Sequence, residues 1–166
     1  MDETTLTLHP PLRKCWMKRG QQKKIPTPGT QKRVHLFGAY DWHSDKVSWH
    51  LADELNSASF VSFLTHLLLT CHPNEKLILV LDNAPIHKSA VSQAALSLFE
   101  DRILIIWLPK YCSTELNPIE RYWKHLKEQV CVDTLFPSID DLTDSVVKEL
   151  QRQEDLSYPK RFRFLK

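Results

Sequence analysis

The sequence predicts a mixed α/β fold, with five strands in one sheet and helices on both of its faces. Three patterns point to it. The amino-terminal part alternates polar and apolar residues, as an antiparallel meander does. Two short apolar runs in the middle, LILVL and ILIIWL, are separated by a helix-length gap. The remaining apolar residues recur at helical spacing. With 166 residues, one domain is the default expectation, and the chain is long enough to bury a core.

Thr5 and Thr7 alternate with Leu6 and Leu8 as in a strand, which Pro10-Pro11 ends. Residues 12–33 read as an irregular arm broken by Gly20, Pro26, Pro28 and Gly29. Val34 to Tyr40 is a strand, and Asp41 to Lys46 is a turn. Val47 to Leu51 pairs back as a hairpin partner. Ser57 to Thr70 carries Phe60, Val61, Phe63, Leu64, Leu67 and Leu68 at helical spacing. Leu77 to Leu81 reads as a strand buried on both faces, because apolar residues run through it almost without a break, and Ile103 to Leu108 is the next buried strand. Between them Ser89 to Phe99 is helical, with Val91, Ala94, Ala95 and Leu98 on one face. A helix from Pro118 to about Val130 turns Ile119, Tyr122, Trp123 and Leu126 inward, and a last helix runs from Ser138 to about Gln151. Trp49, Trp107 and Trp123 fall in apolar patterns and are expected in the core.

A net charge of +2 says little about partners, but its distribution says more. Eight basic residues (Arg13, Lys14, Lys18, Arg19, Lys23, Lys24, Lys32, Arg33) share one stretch with Trp16 and no acid. That pattern fits contact with a nucleic-acid backbone, and also a plain solvated loop. Lys160, Arg161, Arg163 and Lys166 close the chain as a second basic group. Cys15, Cys71, Cys112 and Cys131 are far apart without zinc spacing, so free thiols in a reducing compartment are expected. No secretory signal and no membrane-length apolar run is present.

The chemistry concentrates between Leu77 and Glu120. One apolar strand ends in Asp82-Asn83-Ala84-Pro85-Ile86-His87. The next leads to Ser113-Thr114-Glu115-Leu116-Asn117-Pro118-Ile119-Glu120 and then Trp123. These segments resemble the catalytic core of DDE transposases of the mariner-like superfamily, in its bacterial insertion-sequence branch. Thr114 stands where the family pattern has proline. Asp2-Glu3 matches the family's strand-borne D-E pair. The arm with Trp16 and the run Phe37-Gly38-Ala39 match the family's segments downstream of that pair. The resemblance covers roughly residues 2–130.

It implies a ribonuclease-H-like fold with Asp2, Asp82 and Glu120 as catalytic acids. Strands one and four would lie side by side, and a helix would bring the third acid over them. The three carboxylates would hold two Mg²⁺ ions about 3.5–4 Å apart, with Mn²⁺ able to substitute. The implied activity is cleavage and strand transfer of DNA at transposon ends. Another ribonuclease-H-like nuclease (a resolvase or hybrid nuclease) and an inactive DNA-binding module are the alternatives. Expected partners are DNA and, through the 12–33 arm, a second protomer. No membrane is implied, and the setting would be the bacterial cytoplasm, at the nucleoid. Relatives carry an amino-terminal helix-turn-helix region that this sequence lacks, so a separate DNA-recognition polypeptide would have to select the ends.

Each residue also has a plainer reading. Asp82 could be a strand-end turn residue. Asn117, Pro118 and Glu120 could form a capping box at the start of their helix. Asp41 and Asp45 compete with Asp2 as the first acid, although a hairpin turn favours aspartate anyway. Glu3 should point to the opposite strand face from Asp2. Glu115 could position its loop or simply face solvent. His87 could contact DNA, order the metal site or only begin a helix, and Lys88 could touch phosphate.

Overall fold

A computed structural model describes residues 1–9, 16–21, 29, 31–110, 116–132 and 134–155. Arg13, Lys14, Lys23, Lys24, Glu115 and the closing basic group lie outside the described residues.

Five strands and five α-helices form among them. Strands β1 (Asp2–Thr7), β2 (Arg33–Tyr40) and β3 (Val47–Ala52) make the antiparallel meander that their alternation predicts. Asp2 stands opposite Gly38, and Glu3 opposite Phe37. The β2–β3 turn is closed by Asp41, whose backbone N–H donates to the Lys46 carbonyl at 2.8 Å. Strands β4 (Leu77–Leu81) and β5 (Ile103–Trp107) pair in parallel, Leu77 opposite Ile103 and Leu81 opposite Trp107. The expected single sheet is thus built as two ladders. They meet where the Met1 nitrogen donates to the Val80 carbonyl at 3.0 Å. This contact puts β1 beside β4, as the resemblance implies.

Helices cover both faces of the meander. On one face, helix α1 (Ser57–His66) packs Phe60, Phe63 and Leu64 against Phe37, Leu79 and Leu81. Asn56 caps it, its side chain accepting from the Ser59 N–H at 2.9 Å. The helix continues as a π-helical turn, Leu67–Cys71. The Arg102 guanidinium donates to the Leu68, His72 and Glu75 carbonyls at 3.1, 2.7 and 3.1 Å, satisfying acceptors that this irregular end leaves open. A short helix α2 (Pro85–Lys88), not foreseen in the sequence, precedes α3 (Ala90–Leu98). On the other face, α4 (Pro118–Cys131) and α5 (Ile139–Asp155) bury Ile119, Tyr122, Trp123, Leu126, Leu142, Val146 and Leu150 against Leu6, Val34 and Leu36.

Three expectations are corrected. Strands β4 and β5 are buried on one face only, for Ile78, Leu104 and Ile106 are 64%, 61% and 47% exposed. No described helix covers that side, so a continuous apolar run did not mean two covered faces. In α3 the inward residues are Ser92 and Leu96, while Val91 and Leu98 face out. Ser92 is buried because its hydroxyl donates to the Ile86 carbonyl, which ties α3 to α2. Of the three tryptophans, Trp123 is core, but Trp49 and Trp107 are only partly buried. Trp49 spends its Nε1–H on Glu154 at 2.6 Å, which pins α5 to β3.

One glycine sets how closely α4 approaches the sheet. A Cβ at Gly38 would lie 2.6 Å from both Cζ2 and Cη2 of Trp123, and 3.1 Å from Ile119 Cδ1. The indole therefore rests directly on the β2 backbone, opposite Asp2. Gly38→Ala should overpack this contact and destabilise the fold by about 1–3 kcal/mol in denaturant unfolding. The loss should shrink in a Trp123→Phe background, whose smaller ring leaves room. A Gly38→Ala protein as stable as the wild type would refute the close-approach argument.

Candidate active site

The site is assembled around the start of β1. The two neighbouring acids of that strand face opposite ways, as the pleat requires. Asp2 lies on the α4 side and is 8% exposed. Its carboxyl is pushed up to about 7 from an ordinary value near 3.8, first by burial and then by the negative charges of Glu120 and Glu3. Asp2 and Glu120 are thus near enough to repel. Glu3 lies on the α2 side, where its Oε2 approaches His87 Nε2 at 3.4 Å.

The capping box that is the alternative reading at α4 does not form. The Asn117 side chain makes no cap hydrogen bond, and the helix start is closed instead by the Glu120 N–H donating to the Asn117 carbonyl at 3.2 Å. Asn117 is 2% exposed and turns Nδ2 towards the Met1 carbonyl at 3.4 Å. It ties the helix that carries Glu120 to the strand that carries Asp2. Glu120 remains partly exposed, on the first turn of its helix.

Asp82 sits just past β4, partly exposed. Its Oδ1 accepts from the Ala84 N–H and from His87 Nδ1, both at 2.9 Å. The turn reading of Asp82 is therefore correct as far as it goes, because this oxygen does organise the Asp82–Ala84 turn. No hydrogen bond falls on Oδ2 among the described residues. His87 is fully buried, which leaves it no surface for DNA. Burial would lower its basicity, but Glu3 and then Asp82 outweigh that and hold it above its ordinary value. At 3.4 Å the Glu3–His87 pair lacks hydrogen-bond alignment, so Glu3 Oε2 and His87 Nε2 are both buried without a hydrogen-bond partner.

The remaining predicted residues separate. Asp41 is occupied in its turn, accepting from the His43 N–H at 2.8 Å and from Ser44. Burial raises its carboxyl, but those hydrogen bonds bring it below its ordinary value. Asp45 has a positive φ of 63° and accepts from the Tyr40 hydroxyl. Both are engaged within the β2–β3 turn. Lys88 is exposed next to the site. It donates to Asn83 Oδ1, and its Nζ lies 5.1 Å from the centre of the Trp107 ring. Asn83 itself donates to the Leu108 carbonyl at 2.5 Å. Lys18, Arg19, Lys32 and Arg33 are exposed, as is Trp16. Among the described residues, no three His, Cys, Asp or Glu side chains converge closely enough to hold a metal ion as they stand. Glu3 and Asn117 are the site residues whose parts sequence reasoning missed. The D-E pair and the Asn before Pro118 were both visible, but not their partners.

A buried acid held near 7 makes stability depend on pH. Between about 4 and 7 the folded state binds the Asp2 proton and the unfolded state does not. Stability from this group is therefore present below pH 4 and is lost as pH rises towards 7. With divalent ions chelated, Asp2→Asn should be more stable than the wild type by up to about 4 kcal/mol at pH 8, with the difference vanishing near pH 3. Equilibrium unfolding at several pH values measures it, and a pH-independent difference would refute the assignment.

Comparison with known proteins places the chain by family and fold. Residues 1–143 match the DDE superfamily endonuclease family. In sequence the chain is 34% identical over 129 residues to an insertion element IS630 uncharacterized 39 kDa protein of Shigella sonnei. The match takes in 78% of this chain and 37% of that protein, so the chain spans little over a third of the relative's length. In structure it is similar to the Mos1 transposase paired-end complex with left transposon end (TM-score 0.66, 20% identity, 97% of this chain and 48% of that one). It is also similar to the mariner Mos1 paired end complex with Mg (TM-score 0.65, 18% identity, 92% and 47%). At that identity the likeness shows the fold, which is ribonuclease-H-like. Family match, sequence relative and fold agree, and the chain belongs to the DDE superfamily endonucleases.

Proposed function

We propose that this chain is the catalytic domain of a DNA transposase, with Asp2, Asp82 and Glu120 as its acids. The observation that carries the reading is the meeting of three elements at the head of β1. Val80 of β4 and Asn117, the residue just before α4, both bond the backbone of Met1, and each of these elements brings an acid. The whole chain would form one catalytic domain, with residues 12–33 as a clamp-like insertion.

The donor set fits a hard divalent cation in kind. It offers carboxylate oxygens only, and the buried Asp2 carboxyl faces the negative charges of Glu120 and Glu3, which outweigh the attraction of the Met1 amino group. Asp82 keeps Oδ2 free of hydrogen bonds among the described residues. Asp2, Asp82 and Glu120 would hold Mg²⁺ or Mn²⁺, and the Mos1 structure with Mg supports that choice by analogy. Bound there, two such ions supply charge stabilisation for the attacking and leaving oxygens of a phosphodiester.

The chain's own part is to place DNA. Lys88, steadied by Asn83 and the Trp107 face, offers a phosphate contact beside Asp82. Lys18, Arg19, Lys32 and Arg33 add exposed charge, and Trp16, fully exposed, offers a flat apolar surface to DNA or to a second protomer. The remaining cations of that arm, Arg13, Lys14, Lys23 and Lys24, belong to the same proposal on sequence grounds. Transposon ends and target would be the substrates. No described helix is long and apolar enough to cross a membrane, and the proposed setting is the bacterial nucleoid.

The test is Mg²⁺- or Mn²⁺-dependent cleavage of plasmid DNA, together with joining of a pre-cut oligonucleotide end to target. Asp82→Asn and Glu120→Gln should each reduce both reactions by more than the roughly 10–100-fold that outer-shell changes cost at metal sites. Normal cutting by Glu120→Gln would remove Glu120 from the ligands. Cutting without joining would assign a different nuclease of this fold.

A further inference from the structure

We propose that His87 is a positioning residue, a buried clamp between Glu3 on β1 and Asp82 after β4 that fixes which oxygen of Asp82 faces the catalytic centre. The inference rests on the metal-site reading of Asp2, Asp82 and Glu120 and deepens it.

The ring is held on every side. It is completely buried and tilts against Phe60, ring centres 4.8 Å apart. Its backbone is held at both ends, with the N–H donating to the Ala84 carbonyl at 3.1 Å and the carbonyl accepting from Gln93 Nε2 at 2.8 Å. Neither the ring nor its turn can move without breaking these contacts. The two ring nitrogens then face two carboxylates on different elements, Nδ1 at 2.9 Å from Asp82 Oδ1 and Nε2 at 3.4 Å from Glu3 Oε2.

Asp82 is oriented as a result. Oδ1 takes both the Ala84 N–H and the imidazole, and a carboxylate bonded twice through one oxygen no longer rotates freely. The other oxygen is left for a cation. Glu3 completes the device from behind. It is nearly buried on the α2 face of β1, away from the face on which Asp2 lies. Neighbouring acids of the D-E pair thus divide the work, Asp2 as a ligand and Glu3 as the anchor of the imidazole. A simple packing ion pair would join the same three residues, but it would affect stability and not the affinity for metal.

Mn²⁺ binding by the intact chain, measured by calorimetry beside thermal unfolding in chelator, separates the two. His87→Phe should weaken Mn²⁺ binding by about 10–100-fold, the range for lost outer-shell support. His87→Asn, which restores a donor near the Nδ1 position, should recover part of it. Glu3→Gln, nearly the same shape, should weaken binding several-fold, yet change nothing further in the His87→Phe background. Wild-type Mn²⁺ affinity in Glu3→Gln and His87→Phe overturns the clamp, whatever their melting points. If His87→Phe does not fold, Glu3→Gln alone decides. Asp82→Asn is the reference. Should it bind Mn²⁺ like the wild type, the metal-site reading fails and the clamp with it. Should it lose binding while Glu3→Gln keeps it, only the clamp fails.

Discussion

The position of β1 is the constraint on which the site depends. Through Met1 the strand receives a hydrogen bond from Asn117 at the head of α4 and gives one to β4, and through Glu3 it reaches the imidazole that bonds Asp82. Among the described residues, the β4–β5 ladder shares no hydrogen-bonded strand pairing with the meander. Displacing β1 would therefore separate the acids at once, since each rides on a different element. Buried backbone groups must find partners, so the same bonds that satisfy Met1 also fix the site.

Packing sets the remaining dimension. Trp123 can lie on the backbone at Gly38 only because no side chain intervenes, and this brings the first turn of α4 down over Asp2. The cost falls on Asp2, a buried carboxyl next to the charge of Glu120. A fold selected for stability alone would not place two acids there, and perturbed carboxyls of this kind concentrate at functional sites. The cores on the two faces of the meander carry the stabilisation that tolerates it.

Much of this was legible in the chain. Alternation located the meander, and helical spacing located α1 and α4 with their inward residues. The motif around Asp82 and the one ending at Glu120 led to the family to which the chain belongs. Legibility stopped where a pattern had two physical causes. An apolar run reads the same whether one face or both are covered, so Ile78, Leu104 and Ile106 were misplaced. Asn117 before Pro118 reads as a cap, yet its side chain was claimed by a stronger need, the buried Met1 carbonyl. In α3, two apolar residues face out because the Ser92 hydroxyl found a carbonyl inside.

The sequence by itself determined the kinds of element, their order, and the acids available at their ends. Those come from periodicity and residue chemistry, which act over a few residues. Only the tertiary structure decided that Glu3 meets His87, that His87 is closed off from solvent, and that Asn117 serves β1 in place of its own helix. The Met1–Val80 and Asn117–Met1 bonds join positions 79 and 116 residues apart. Contacts over such spans leave no local period in the chain. They arise when burial brings strangers together and their polar groups must pair.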